Sequence, residues 1–259
     1  MRRAHFGEVR RLTPKYDVIG RGYTTNRRPD PRWAALIESR LGDARRVVNV
    51  GAGTGSYEPT GREVVAVEPS SVMVAQRTPG AAPAVRGSGD ALPIRTGGAD
   101  AAMAILTIHH WGDWRRGLAE LCRVAPRRLI LTIDHQVHAR FWLLADYLPD
   151  VAASVRTTRP ALDDITDALR VAETIDLPLP PDLVDGVLGS QWRNPEAYLD
   201  PMVRANTSPL ALADPAHVSA GIARLEHDLA SGAWHARHGH LLQRPDYDLG
   251  YRLLVCEGD

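Results

Sequence analysis

The stretch VVNVGAGTGSYEPTGREVVAVEPS, Val47 to Ser70, limits what this chain can fold into more than any other. Two β-branched apolar runs, residues 46–50 and 63–68, read as buried strands. Between them Gly51, Ala52, Gly53, Thr54 and Gly55 form a tight turn directly after the first run. Glycine there lets backbone approach a ligand with no Cβ in the way. Glu68 ends the second run, where a carboxylate can accept hydrogen bonds from both hydroxyls of a sugar. A strand, a glycine turn, a strand and an acid are the opening of a nucleotide-type α/β sheet.

The surrounding pattern continues in the same sense. Pro31 opens a helical stretch over residues 31–42, with apolar residues at helical spacing and a glycine stop. Beyond Glu68 the chain reads as a short helix at 71–77, a weak strand at 83–88 and a strand at 99–108. A helix at 114–124 and a strand at 127–134 follow. This alternation predicts a parallel sheet covered on both faces. After Asp134 the segments ARFWLLADYLPDV and ALDDITDALRVA look helical, ETIDLPLP is a candidate strand, and DLGYRLLVCE is the last strand. The expected organisation is an N-terminal arm or lid (1–32), a core (33–180), a helical cap insertion over a pocket (181–245) and a returning strand of the core (246–259).

The cofactor follows from spacing and then from resemblance. G-x-G-x-G does not match the G-x-G-x-x-G fingerprint of a pyrophosphate-bearing dinucleotide, although a nicotinamide reductase remains an alternative. The ordered blocks VVNVGAGTG, VVAVEPS, GSGDALPI, ADAAMAILTIHHW and RRLILTID resemble the class I S-adenosylmethionine-dependent methyltransferases, in particular the small bacterial type 11-like group. They span roughly residues 45–135. The resemblance implies a Rossmann-like, doubly wound, mostly parallel seven-stranded sheet that binds S-adenosylmethionine. It implies that Gly51, Ala52 and Gly53 line the methionine and ribose portion, that Glu68 and Pro69 hold the ribose, and that Asp90 and Ala91 flank the adenine. Two departures stand out: Asn49 replaces the usual acid before the turn, and only SYEPTGR separates the turn from the second strand. The N-terminal arm is expected to replace that thin wall, with Tyr16, Tyr23 and Arg27 or Arg28 over the methionine end and an arginine facing its carboxylate.

Chemistry is expected where ligands sit in such sheets, beyond the carboxyl ends of the strands. LTIHHW places Thr107 beside the cofactor and His109, His110 and Trp111 after the fourth strand. TIDHQVH places Asp134, His135 and His138 after the fifth. Methyl transfer chiefly needs nucleophile, methyl and sulfur held in line, and a base only where the nucleophile must lose a proton. His110 is the first candidate base, with His109, Asp134 and Tyr23 as further candidates; Asp134 reads equally as a helix N-cap. Trp111, His135, Trp192 and Tyr198 are candidate substrate walls, which favour a planar phenol- or indole-like acceptor. Whether O, N or C is methylated stays open.

Composition bounds the alternatives. With 31 basic and 31 acidic residues there is no global pull towards nucleic acid or a membrane. The first 46 residues nevertheless hold 12 Arg/Lys against 5 Asp/Glu, which keeps an RNA- or protein-directed methyltransferase as an alternative. A non-catalytic S-adenosylmethionine-binding module is another. Cys122 and Cys256 sit in apolar contexts without metal spacing and read as reduced residues of a cytoplasmic protein, and no metal site is expected.

Overall fold

The structure is a computed structural model that describes residues 17, 27–205 and 207–258. Helix α1 (Pro31–Leu41) starts where Asp30 accepts from the Arg32 N–H and Pro31 fills the first turn. Strands β1 (Arg46–Val50), β2 (Glu63–Val67), β3 (Ala84–Val85), β4 (Ala101–Ile105) and β5 (Arg127–Ile133) follow in chain order. Helix α2 (Ser71–Ala75) lies between β2 and β3, and α3 (Trp114–Val124) between β4 and β5. Beyond β5 come α4 (His135–His138), a π-helical turn at Leu143–Tyr147, α5 (Pro149–Thr158), α6 (Leu162–Asp167) and β6 (Val171–Asp176). Helical segments then lead to β7 (Tyr251–Glu257).

These strands form one seven-stranded sheet in the order β3-β2-β1-β4-β5-β7-β6. The first five run parallel, and β7 is antiparallel to both of its neighbours. The sheet is therefore mostly parallel, as expected. Residues alternate between its two faces because side chains on a strand do. Val47, Met103, Leu129, Leu131 and Leu253 enter one core. Val48, Val50, Ala102, Ala104, Ile130 and Leu254 enter the other, under α3. Burial on both faces explains why these strands read as continuous apolar runs.

Several boundaries differ from the sequence reading for local reasons. The fourth strand stops at Ile105 rather than continuing to 108, because Leu106 takes a positive φ of 53° and Ile108–His110 turns into a 3-10 helix. The helix read over ALDDITDALRVA ends at Asp167, and Val171 and Ala172 belong to β6. No helix forms between Gly55 and Glu63, where Pro59 and the short spacing leave only turns. Among the described residues no helix is long and apolar enough to cross a membrane.

Chain order reverses between β1 and β4. From β1 the chain winds outward to β2 and β3, then crosses back to β4 and β5. A crevice opens at such a switch point, beyond the carboxyl ends of the strands.

Candidate active site

A cavity of ≈ 470 Å³ occupies that crevice. Its floor is the turn after β1. Gly51 (φ 67°) and Gly53 (φ 54°) both adopt the left-handed region, and a Cβ on Gly51 would lie 2.0 Å from Thr107 Oγ1. The Gly51 and Ala52 N–H groups both donate to the Val67 carbonyl, which ties the turn to the end of β2. Directly beyond, Glu68 accepts from Gly53 N–H through Oε2 and from Ser70 N–H through Oε1, each at 2.8 Å. Burial pushes the Glu68 carboxyl up, and these two bonds pull it back. Two of its acceptor positions are thus used by backbone, and the rest remain for a ligand in the cavity it lines. Ser70 Oγ caps α2 through Met73 N–H and donates to Asp17 at 2.6 Å, which brings Asp17 against this strand end.

The opposite wall is Ser88, Gly89 and Asp90 with Trp111. Ser88 Oγ donates to Asp90 Oδ1. The indole of Trp111 sits where Cβ atoms on Gly89 and Gly117 would stand, 2.7 and 2.3 Å from it, so both glycines are needed to seat the ring. Asn49, Pro69, Thr107 and His110 complete the lining among the expected residues. Ala91 is exposed and does not line it.

A second, smaller cavity of ≈ 50 Å³ adjoins the first, and Arg27, Leu106 and His110 line both. His109, His135 and His138 bring three more imidazoles, among Ile133, Val155, Val187, Leu188 and Tyr251. The rings of His109 and His110 are 4.1 Å apart, and His109 meets His135 edge-on at 5.9 Å. Arg159 donates to the His109 carbonyl at 2.9 Å. Burial pushes His135 down to about 3, helped by charge from His138 and Arg159. It pushes His138 down to about 4 against a hydrogen bond to the Leu249 carbonyl. Both rings are neutral at pH 7.

Arg27 is not aimed solely at a ligand. Its Nε donates to Asp185 Oδ1 at 2.5 Å, and the Tyr57 phenol donates to Asp185 Oδ2 at 2.8 Å. Tyr57 in turn accepts from Asp30 N–H at 3.1 Å, and burial pushes its phenol up. Asp185 is 1% exposed. It lies 128 residues from Tyr57, and no local pattern marks it. His138 stands at the strand end where the sequence put it, but no local pattern assigned it a role, since its pairing to Leu249 spans 111 residues.

Other expectations need correction. Trp192 and Tyr198 line neither cavity; both are fully buried in the core. The Trp192 carbonyl accepts from the Trp142 indole, and the Tyr198 hydroxyl accepts from Gly189 N–H. Trp111 lines the larger cavity rather than the smaller. Asp134 is an N-cap, accepting from Gln136 and Val137 N–H, and it lines neither cavity. Arg28 is exposed and outside both. Tyr16 and Tyr23 lie outside the described residues.

An α/β sheet with a glycine turn and a buried acid at its switch point is an architecture in which nucleotide-type ligands bind. Comparison with known proteins narrows this. A family profile described as methyltransferase domain matches residues 48–128. A putative methyltransferase from an antibiotic biosynthesis pathway of Anabaena variabilis is 31% identical, with a TM-score of 0.81, over 89% of this chain and 98% of that one. The YcgJ protein of Bacillus subtilis superposes with a TM-score of 0.51 at 16% identity, over 88% of this chain and 99% of that one. Geranyl diphosphate C-methyltransferase of Streptomyces coelicolor gives 0.50 at 13%, over 88% and 79%. These last two show the fold alone. No curated protein matches significantly. The chain belongs to the class I S-adenosylmethionine-dependent methyltransferases, enzymes whose cofactor is S-adenosylmethionine.

Proposed function

We propose that this enzyme methylates a small, neutral, largely apolar molecule of specialised metabolism, with S-adenosylmethionine in the larger cavity and the acceptor in the smaller. The observation that carries the reading is the pair of adjoining cavities that share His110, Leu106 and Arg27. The larger falls within the roughly 300–1,000 Å³ usual for small-molecule sites. Its lining suits the cofactor: Glu68 keeps acceptor positions for ribose hydroxyls, Asp90 accepts from an adenine amine, and Trp111 offers a fixed flat wall. The bound cofactor supplies a methyl group on a sulfonium, already activated for in-line displacement.

The chain's own residues then position and dehydrate the acceptor. Leu106, Ile133, Val155 and Leu188 give the smaller cavity apolar walls that favour a compact planar ring. His110, the imidazole shared by both cavities, is the group to receive a proton from an oxygen or nitrogen nucleophile, with the tilted ring of His109 against it. The Anabaena relative's assignment to an antibiotic pathway favours a specialised metabolite over a nucleic acid or protein.

Calorimetric titration with S-adenosylhomocysteine, on the native protein and Glu68→Gln, tests the cofactor placement. The substitution keeps the size of the side chain and removes the charge-assisted acceptors. Affinity is expected to fall tenfold or more, about 1.5–3 kcal/mol. Equal affinity in both proteins would remove Glu68, and with it this placement.

A further inference from the structure

The smaller cavity carries a polar group to which no sequence pattern assigned a role. His138 is 1% exposed, and its Nδ1 lies 2.8 Å from the Leu249 carbonyl. A carbonyl only accepts, so Nδ1 carries the proton. Burial keeps the ring neutral, which leaves Nε2 as a bare lone pair. That nitrogen is buried and meets no donor among the described residues. Tyr251 packs edge-on against His138 at 5.7 Å but donates its hydroxyl to the Leu188 carbonyl at 2.8 Å. His138 lines the smaller cavity and not the larger. A buried acceptor of this kind costs stability unless a donor meets it.

We propose that His138 Nε2 reads a hydroxyl or ring N–H of the methyl acceptor, at a point away from the cofactor cavity. The inference rests on the smaller cavity being the acceptor site and deepens that reading. It sets the substrate class: a neutral molecule with an O–H or N–H donor on the side turned from the methylated atom. Charge is the wrong currency here, because a carboxylate would bring one acceptor against another. His138 is on this account a specificity residue, and His110 keeps the role at the junction.

Phenol and toluene are the probes, alike in shape and differing in the donor. Protein labelled with 15N at histidine is titrated with each at pH 7, with and without S-adenosylhomocysteine, and the two-bond 1H–15N spectrum follows Nε2 of His138. Nε2 is expected to be unprotonated, to shift on phenol binding and to ignore toluene, with phenol binding at least tenfold tighter. In His138→Phe, phenol should lose that advantage. A proton on Nε2, phenol saturation that leaves Nε2 unmoved, or equal affinities for the two probes would each overturn the proposal. The native-protein arms decide it even if His138→Phe fails to fold. Loss of S-adenosylhomocysteine binding in Glu68→Gln is read separately. Cofactor binding without phenol discrimination sinks this inference alone, and the converse sinks only the cofactor placement.

Discussion

Gly51 shows how tightly single positions are fixed. Alanine there would have to hold a φ of 67° and place its Cβ 2.0 Å from Thr107 Oγ1. The left-handed conformation costs about 1–2 kcal/mol for an L-residue, and relief of the overlap adds about 1–3. Gly51→Ala is expected to lose at least about 2 kcal/mol in urea unfolding, together with most of its affinity for S-adenosylhomocysteine. Leu106 holds a comparable φ of 53° with a side chain, at the point where both cavities meet. Strain of this kind persists where the surroundings over-determine it, often at functional sites. The cavity-lining residues legible in the sequence were those marked locally: Gly51, Gly53, Glu68 and Asp90 all sit within a few residues of a strand end. Asp185 was not, and His138 was read at its strand end without a role, because their partners lie more than a hundred residues away. Trp192 and Tyr198 were read as pocket walls because a proline-rich stretch has no periodicity to say which side faces the core.

At the scale of elements, α4 gathers the buried imidazoles. His135 and His138 are pushed down to about 3 and about 4, below the 6.5 of the unfolded chain. The unfolded state therefore binds protons first, and stability falls as pH drops from about 6.5 towards 4. Above that window the pair contributes no slope. Between pH 7 and pH 5 the loss is expected to be on the order of 2 kcal/mol or more, checked by urea unfolding at both values. His135→Phe should flatten part of that slope. A second test concerns the link between the turns after β1 and the segment around Asp185. Tyr57→Phe removes the phenol that donates to Asp185 and accepts from Asp30. A cost of about 1–3 kcal/mol is expected in thermal or urea unfolding. Because Arg27 lines both cavities and is held by the same carboxylate, S-adenosylhomocysteine affinity should fall as well.

For the whole molecule, the segment between β6 and β7 shares the core of the sheet rather than forming a detachable cover. Trp142, next to α4, packs edge-on against Trp234 at 5.3 Å and Tyr198 at 5.7 Å, and all three belong to the core that contains Leu253. A chain with residues 181–245 replaced by a short linker is expected to lose cooperative unfolding, as read by near-ultraviolet circular dichroism during a urea titration. A true accessory cover would leave the sheet folded. The alternating strand pattern made the sheet readable. That the insertion fuses with the core was not, since aromatic residues suit a lid as well as a core. The position of β7 also sets an order of events. It lies between β5 and β6, although both are synthesised before it. Among the described strands β6 pairs with β7 alone, so during translation it waits for residues 251–257 across some 75 codons. The window for premature pairing with a neighbouring chain, and the need for a chaperone to cover it, closes only with the last strand.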